Sequence, residues 1–171
     1  MIPQRSRSGL WEIDRRGLVA ARTRGHSPTR DQLIARFSCL GQHGAVWLAT
    51  GLTCAALDRR KRSRWSEATA TVAGTYLLNS ALKLLVRRPR PQLPGLPALS
   101  STPTQLSFPS AHASTSFAAA ALYSRLGLPA GGLYALAGGL SLSRLYLGVH
   151  YPSDVLAGAL LGGAVAALHP A

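Results

Sequence analysis

The sequence predicts an all-α integral membrane bundle of about five transmembrane helices, preceded by a basic amphipathic N-terminal helix. Three observations carry that prediction. Of 171 residues, 47% are hydrophobic. The charges fall in blocks between long uncharged stretches. No run shows the period-2 alternation of a half-buried strand. With 19 Lys+Arg against 6 Asp+Glu the formal net charge is +13. Such a charge often marks nucleic-acid binding, but a groove-binding protein would interleave its cations with the rest of the surface. We therefore expect no nucleic-acid partner. The apolar content excludes intrinsic disorder of the whole chain. The basic residues comprise 17 Arg and 2 Lys, and Ala, Gly and Leu abound. This is the coding bias of a GC-rich genome, such as that of an actinobacterium.

Residues 1–36 form the arm, with Arg5, Arg7, Arg15, Arg16, Arg22, Arg24, Arg30 and Arg36 interleaved among Leu10, Trp11, Ile13, Leu18 and Val19. No secretory signal pattern is present. An amphipathic helix on anionic headgroups and a disordered basic tail both fit. Residues 37–171 form the membrane domain. Its apolar segments are 37–57, 68–86, 113–128, 133–149 and 155–168. The first two, of 21 and 19 residues, satisfy the ~20 residues that a span needs. The others are shorter, and their polar ends fit a protein-lined cavity. The pair Gly158 and Gly162, and the doublets Gly131-Gly132 and Gly138-Gly139, suit close helix packing. Cys39 and Cys54 stand 15 residues apart, about 22 Å along a helix, which is too far for a disulfide.

Two connections break the apolar pattern. Residues 58–64 (DRRKRSR) form a basic turn, and residues 87–109 form a 23-residue loop with six prolines. A loop that long in a small domain is generally functional or disordered.

The chemistry concentrates at segment ends. Lys83 and Arg90 flank the exit of the second segment, Ser110, Ala111 and His112 open the third, Arg144 closes the fourth, and His150 and Asp154 open the fifth. If the helices alternate direction, all three clusters reach one membrane face. Lys83, Arg90 and Arg144 supply three cations for an anion with several oxygens. Amides at the helix start after Ser110 add donors and a favourable dipole. Two histidines provide a nucleophile and an acid, and Asp154 stands where it can fix the His150 tautomer. Asp154 is the only acidic residue after Glu67, and one carboxylate cannot build a two-metal centre. The implied reaction is phosphoryl transfer through phosphohistidine, with neither metal nor cofactor.

The pattern Lys83-x6-Arg90-Pro91, Pro109-Ser110-Ala111-His112 and Ser143-Arg144-x5-His150-x3-Asp154 resembles the three-part signature of the type 2 phosphatidic acid phosphatase superfamily. The motifs cover about the last half of the chain. The resemblance implies His150 as nucleophile and Asp154 as its orienting partner. It implies His112 as the acid and then the base for hydrolytic water, and Lys83, Arg90, Arg144, Ser110 and the Ala111 amide as phosphate contacts. The sequence departs from the family at Ala111, where Gly is usual, and in having five rather than six expected spans. Ala restricts φ and adds a methyl beside the phosphate. The small, Ala- and Arg-rich composition further resembles the actinobacterial decaprenylphosphoryl-5-phosphoribose phosphatases within that superfamily. This implies a lipid-linked phosphate substrate among membrane lipids. Undecaprenyl diphosphate, phosphatidylglycerol phosphate and phosphatidic acid stay open as substrates, as does a catalytically silent protein that binds anionic lipid.

Arg87 and Arg88 read as interfacial anchors in preference to supporting contacts behind the phosphate site, Tyr146 and Tyr151 as interface aromatics, and His26, His43 and His169 as structural or incidental. With five spans, the arm and the catalytic loops share one side, which holds eleven basic residues against six. The positive-inside rule then places the active site at the cytoplasmic face of the cell membrane.

Overall fold

The computed structural model describes residues 9–169. Arg5 and Arg7 of the arm lie outside them. Among the described residues the regular elements are all helical: α1 (Gly9–Thr23), α2 (Pro28–Cys39), a 3-10 turn (Gln42–Gly44), α3 (Ala45–Leu57), α4 (Arg62–Val86), α5 (Ala111–Arg125), α6 (Ala130–Tyr146) and α7 (Pro152–Leu168). Against the five expected spans, no helix among the described residues is long and apolar enough to cross a membrane.

The expected single segment at 37–57 is broken. α2 ends at Cys39, and His43 (φ 54°) and Gly44 (φ 72°) take left-handed conformations before α3 starts. A helix cannot run through two such residues, so the 21-residue apolar run yields a 13-residue helix. Cys39 and Cys54 are both free. α4 runs 25 residues and stops where Arg87 (φ 52°) turns left-handed and bonds its N–H to the Lys83 carbonyl.

α5 is the central element, touching α3, α4, α6 and α7. Its sequence AHASTSFAAAALYSR is small on nearly every face. Ala113, Ala118, Ala119, Ala120 and Tyr123 are wholly buried. Small side chains let neighbouring backbones approach closely. The contact with α7 is the tightest: a Cβ at Gly158 would stand 2.5 Å from the Ser110 carbonyl oxygen, and one at Gly162 would stand 2.2 Å from that of Ser114. The expected role of Gly158 and Gly162 is met. At Gly131, Gly132 and Gly138 an added Cβ would meet nothing within 4 Å, whereas Gly139 faces Phe37. At the far end of α5, Trp47, Trp65, Val72 and Tyr123 close an apolar core.

The solvent-type polarity is inverted. Thr69, Thr75, Asn79, Lys83, Ser114, Ser116 and Ser141 are buried, while Leu52, Leu77, Leu85, Leu142, Leu156 and Leu160 are more than 60% exposed.

The loop 87–109 is ordered by the backbone. Arg90 N–H bonds to Gln105 O, Ser107 N–H to Arg88 O, and Leu99 N–H to Leu147 O. The arm packs as structure also: α1 touches α6 and α7, and α2 touches α6.

Candidate active site

Six of the residues singled out in sequence line one cavity of about 270 Å³: Lys83, Arg90, Ala111, His112, Arg144 and His150. Chain direction brings them together. α4 delivers Lys83 at its end, the folded loop returns Arg90 over the mouth, α5 begins with Ala111 and His112, and Arg144 and His150 bracket the turn from α6 to α7. Ser110 and Asp154 are fully buried immediately behind the cavity wall.

His150 follows α6 in a turn whose left-handed Gly148 (φ 75°) reverses the chain. Its Nδ1 lies 3.4 Å from Asp154 Oδ2. Asp154 is the third residue of α7, and its Oδ2 also accepts the Tyr151 N–H at 2.8 Å, so helix capping holds the carboxylate. On the other ring edge, Nε2 faces Arg90 Nη1 at 3.2 Å. Burial pushes the imidazole pKa down to about 3; Arg90 and Lys83 push the same way, and the hydrogen bond to Asp154 opposes them. His150 is therefore neutral at physiological pH, with Nδ1–H on Asp154 and a lone pair on Nε2 toward the cavity.

Arg90 donates Nε to Thr104 O and Nη1 to Val149 O, each at 2.7 Å. Burial and the loss of water bring its pKa down to about 10, with Asp154 opposing, so it stays charged. Arg144 Nη1 bonds Ser38 Oγ at 2.7 Å, and its Nε is buried without a partner. Ser110 Oγ is likewise buried and unpartnered. Buried polar atoms nearly always find partners, and an anion in the cavity would supply one for Arg144. Lys83 Nζ donates to the carbonyls of Pro109 (2.7 Å), Ser107 (3.0 Å) and Leu106 (3.4 Å). It thus ties down the approach to α5 while keeping its charge beside the cavity. Ala111 is not among the residues with positive φ, so this backbone makes no demand for Gly there. Ser110 N–H is taken by the Asp154 carbonyl at 2.9 Å. The next amides, of Ala111 and His112, open the helix and have no acceptor within it.

Sequence reasoning missed Ser38. Its hydroxyl accepts from Arg144 and from Ser143 Oγ (3.0 Å), and its carbonyl accepts His112 Nε2–H at 3.1 Å. One buried serine of α2 thus holds two site residues, and nothing in the local sequence marks it. Arg88 is no interfacial anchor: it bonds Asp154 Oδ1 at 2.8 Å and Asp14 Oδ2 at 2.7 Å. Tyr151 is buried beneath it, 4.1 Å from the guanidinium carbon. Tyr146 gives its hydroxyl to Asp31 and stacks on His26 at 4.0 Å, closing α1 and α2 onto α6. His43 lines the cavity and bonds Tyr76 Oη at 2.7 Å. Among the described residues no group of three or more His, Cys, Asp or Glu is arranged to hold a metal ion.

The chain is 40% identical over 157 residues to decaprenylphosphoryl-5-phosphoribose phosphatase of Mycobacterium tuberculosis, covering 91% of this chain and 81% of that protein. It is 43% identical over 125 residues to the protein of that name from Mycolicibacterium smegmatis, covering 71% and 67%. The fold matches a transmembrane PAP2-type phosphatidylglycerolphosphate phosphatase from Bacillus subtilis, with TM-score 0.79, 24% identity, and coverage of 94% of this chain and 84% of that one. It also matches Aquifex aeolicus LpxE, with TM-score 0.77, 24% identity, and coverage of 91% and 93%. The PAP2 superfamily pattern spans residues 64–170, which include every cavity residue that the three motifs named; the chain belongs to the PAP2 superfamily.

Proposed function

We propose that this phosphatase removes the phosphomonoester of a polyprenyl-linked phosphoribose through a phosphohistidine on His150. One observation carries the reading: three cationic side chains and both motif histidines, His112 and His150, line a single cavity, with a carboxylate behind the His150 imidazole. The substrate class follows from the mycobacterial relatives and from the cavity wall. Leu84 lines the cavity and is also 65% exposed on α4, so the phosphate site is continuous with an apolar outer face where a lipid chain can lie. The hydroxyls of Ser100, Ser101 and Thr104 line the same cavity and suit a sugar.

In this mechanism Arg90, Arg144 and the Ala111 and His112 amides hold the phosphate oxygens, with the charge of Lys83 beside them. His150 Nε2 attacks phosphorus, an N–P bond forms, and the P–O bond to the sugar breaks. With the phosphate bound, His112 acts as the imidazolium, protonated on both ring nitrogens; it leaves the Ser38 carbonyl, gives its Nε2 proton to the departing oxygen and ends neutral. Water then attacks phosphorus and yields a proton to His112; the N–P bond breaks and inorganic phosphate leaves. The fixed cations supply much of the rate, because positioning and charge stabilisation dominate phosphoryl transfer.

The bundle α3–α7 sits in the cell membrane in this reading, supported by its exposed leucines and buried polar residues. Its helices of 13 to 17 residues are short for a ~30 Å hydrocarbon layer. The 25-residue α4 reaches about 38 Å. In the same reading α1, which exposes Leu10 and Ile13, rests in the cytoplasmic headgroup layer and the active site faces the cytoplasm; the excess of basic residues on that side supports it. A reporter fused after Ala171 that works only outside the cytoplasm overturns that side. The activity is tested by phosphate release in detergent with chelator present, across phosphoribosyl, diphosphate and glycerolipid heads. We expect release from the phosphoribosyl lipid, and none from His150→Ala. A preference for phosphatidylglycerol phosphate refutes the substrate, and full activity of His150→Ala refutes the nucleophile.

A further inference from the structure

Beyond the motifs, the N-terminal helix reaches the nucleophile through an unbroken series of polar contacts, buried at both carboxylates and partly buried at the arginine between them. Asp14, on α1, is 4% exposed and Asp154 is wholly buried. Between them lies the Arg88 guanidinium, with Nη2 on Asp14 Oδ2 at 2.7 Å and Nη1 on Asp154 Oδ1 at 2.8 Å. Ser153 closes the set: its N–H reaches Asp14 Oδ1 at 2.8 Å, and its hydroxyl donates to Asp14 Oδ2 while accepting from Arg88 at 2.7 Å. Burial works against the Asp14 carboxylate, yet the bonds from Ser153 and Arg88 prevail and hold its pKa below the ordinary value. The helix is fitted closely to this place. Trp11 packs on the Tyr151 ring at 5.3 Å, and a Cβ at Gly17 would come 2.9 Å from Pro152.

We infer that Asp14 is a positioning residue for the phosphatase reaction, a charge-balancing carboxylate that lets Asp154 act on His150 despite the arginine bonded to it. The physical need is plain. When Nε2 takes the phosphoryl group, the His150 ring gains positive charge, which a negative Asp154 stabilises. A guanidinium at 2.8 Å from that carboxylate cancels much of its field, and buried charges are poorly screened. A second carboxylate on the far side of Arg88 restores one net negative charge to the group of three. Arg88 then orients Asp154 by a hydrogen bond without neutralising it. The arm is thereby part of the catalytic apparatus rather than only a contact with the membrane surface.

The inference rests on His150 as nucleophile, so His150→Ala is measured in parallel on the full-length protein in detergent. Asp14→Asn keeps the size and loses the charge; Asp14→Glu keeps the charge and alters the size. We expect Asp14→Asn to lower kcat about tenfold, about 1.4 kcal/mol, with KM within about twofold, and Asp14→Glu to recover most of the loss. In an Asp154→Asn background, Asp14→Asn should change the residual rate less than about twofold, because its effect runs through Asp154. Folding is judged by the rise in melting temperature that inorganic phosphate produces. If Asp14→Asn lacks that rise, the pair Asp14→Gln and Asp14→Glu makes the same charge comparison. Wild-type kcat in Asp14→Asn, equal losses in the Asn and Glu variants, or the same tenfold loss without the Asp154 charge each overturn the inference. Activity surviving in His150→Ala instead overturns the reading on which it rests.

Discussion

Two adjacent glycines on α7 should respond oppositely to the same substitution. At Gly162 a methyl group would lie 2.2 Å from the Ser114 carbonyl oxygen and 2.8 Å from the Ala118 nitrogen, about 1.2 Å short of the 3.4 Å at which ordinary contact begins. The obstacles are backbone atoms of the central helix, so no rotamer change relieves them. Overpacking generally costs about 1–3 kcal/mol, and a backbone obstacle belongs at the upper end. Replacing Gly by Ala inside a helix returns about 1 kcal/mol. The net for Gly162→Ala is a loss of about 2 kcal/mol, a fall of roughly 4–8 °C in Tm for a chain of this size. At Gly163 an added Cβ meets nothing within 4 Å, so Gly163→Ala keeps the propensity gain and raises Tm by about 2–4 °C. Thermal unfolding of the two variants in one detergent, followed by circular dichroism, reads both signs. Equal Tm values, or a stabilised Gly162→Ala, would refute the tight α5–α7 crossing and with it the placement of Asp154 against the start of α5.

Gly158→Ala should act on catalysis as well as on stability. The new methyl meets Ser110 O at 2.5 Å, and a shift of about 1 Å at a catalytic helix costs up to ~100-fold in kcat. Wild-type kcat would refute it. Ser38→Ala removes the acceptor of Arg144 Nη1 and leaves a buried guanidinium less satisfied; a charged hydrogen bond is worth about 1.5–3 kcal/mol. We expect kcat/KM to fall about tenfold or more by phosphate-release assay. Stability should also depend on pH through His150. Its folded pKa lies below the ordinary 6.5, at about 3. The unfolded chain therefore binds the extra proton first, so stability is complete above about pH 6.5 and falls as pH drops toward 3. The slope is at most about 1.4 kcal/mol per pH unit. His150→Asn should flatten the melting curve between pH 6.5 and 4 relative to wild type, and an unchanged slope would refute the buried neutral imidazole.

The apolar segments and the three motifs were legible because both are short-range signals. A helix shows in the spacing of its own side chains, and Lys83 to Arg90, Ser110 to His112 and Arg144 to Asp154 each lie within one stretch of chain. So the all-helical class, the cluster of cations and the two histidines could be read directly. The break at His43 and Gly44 could not, because residues of unremarkable polarity hide a backbone reversal inside an apolar run. Nor could the number of residues that a helix gives to the bilayer, which depends on what its ends pack against.

Ser38, Arg88 and Asp14 belong to no motif, and their importance comes from partners far along the chain: Ser38 to Arg144, Arg88 to Asp154, Asp14 to Arg88. A serine or an arginine in isolation carries no sign of what it will meet. By itself the sequence determined which groups are available for phosphoryl transfer and the helices that carry them. The tertiary structure alone decided which polar groups lose water together, and the energy of a buried charge is set by the neighbours that replace that water.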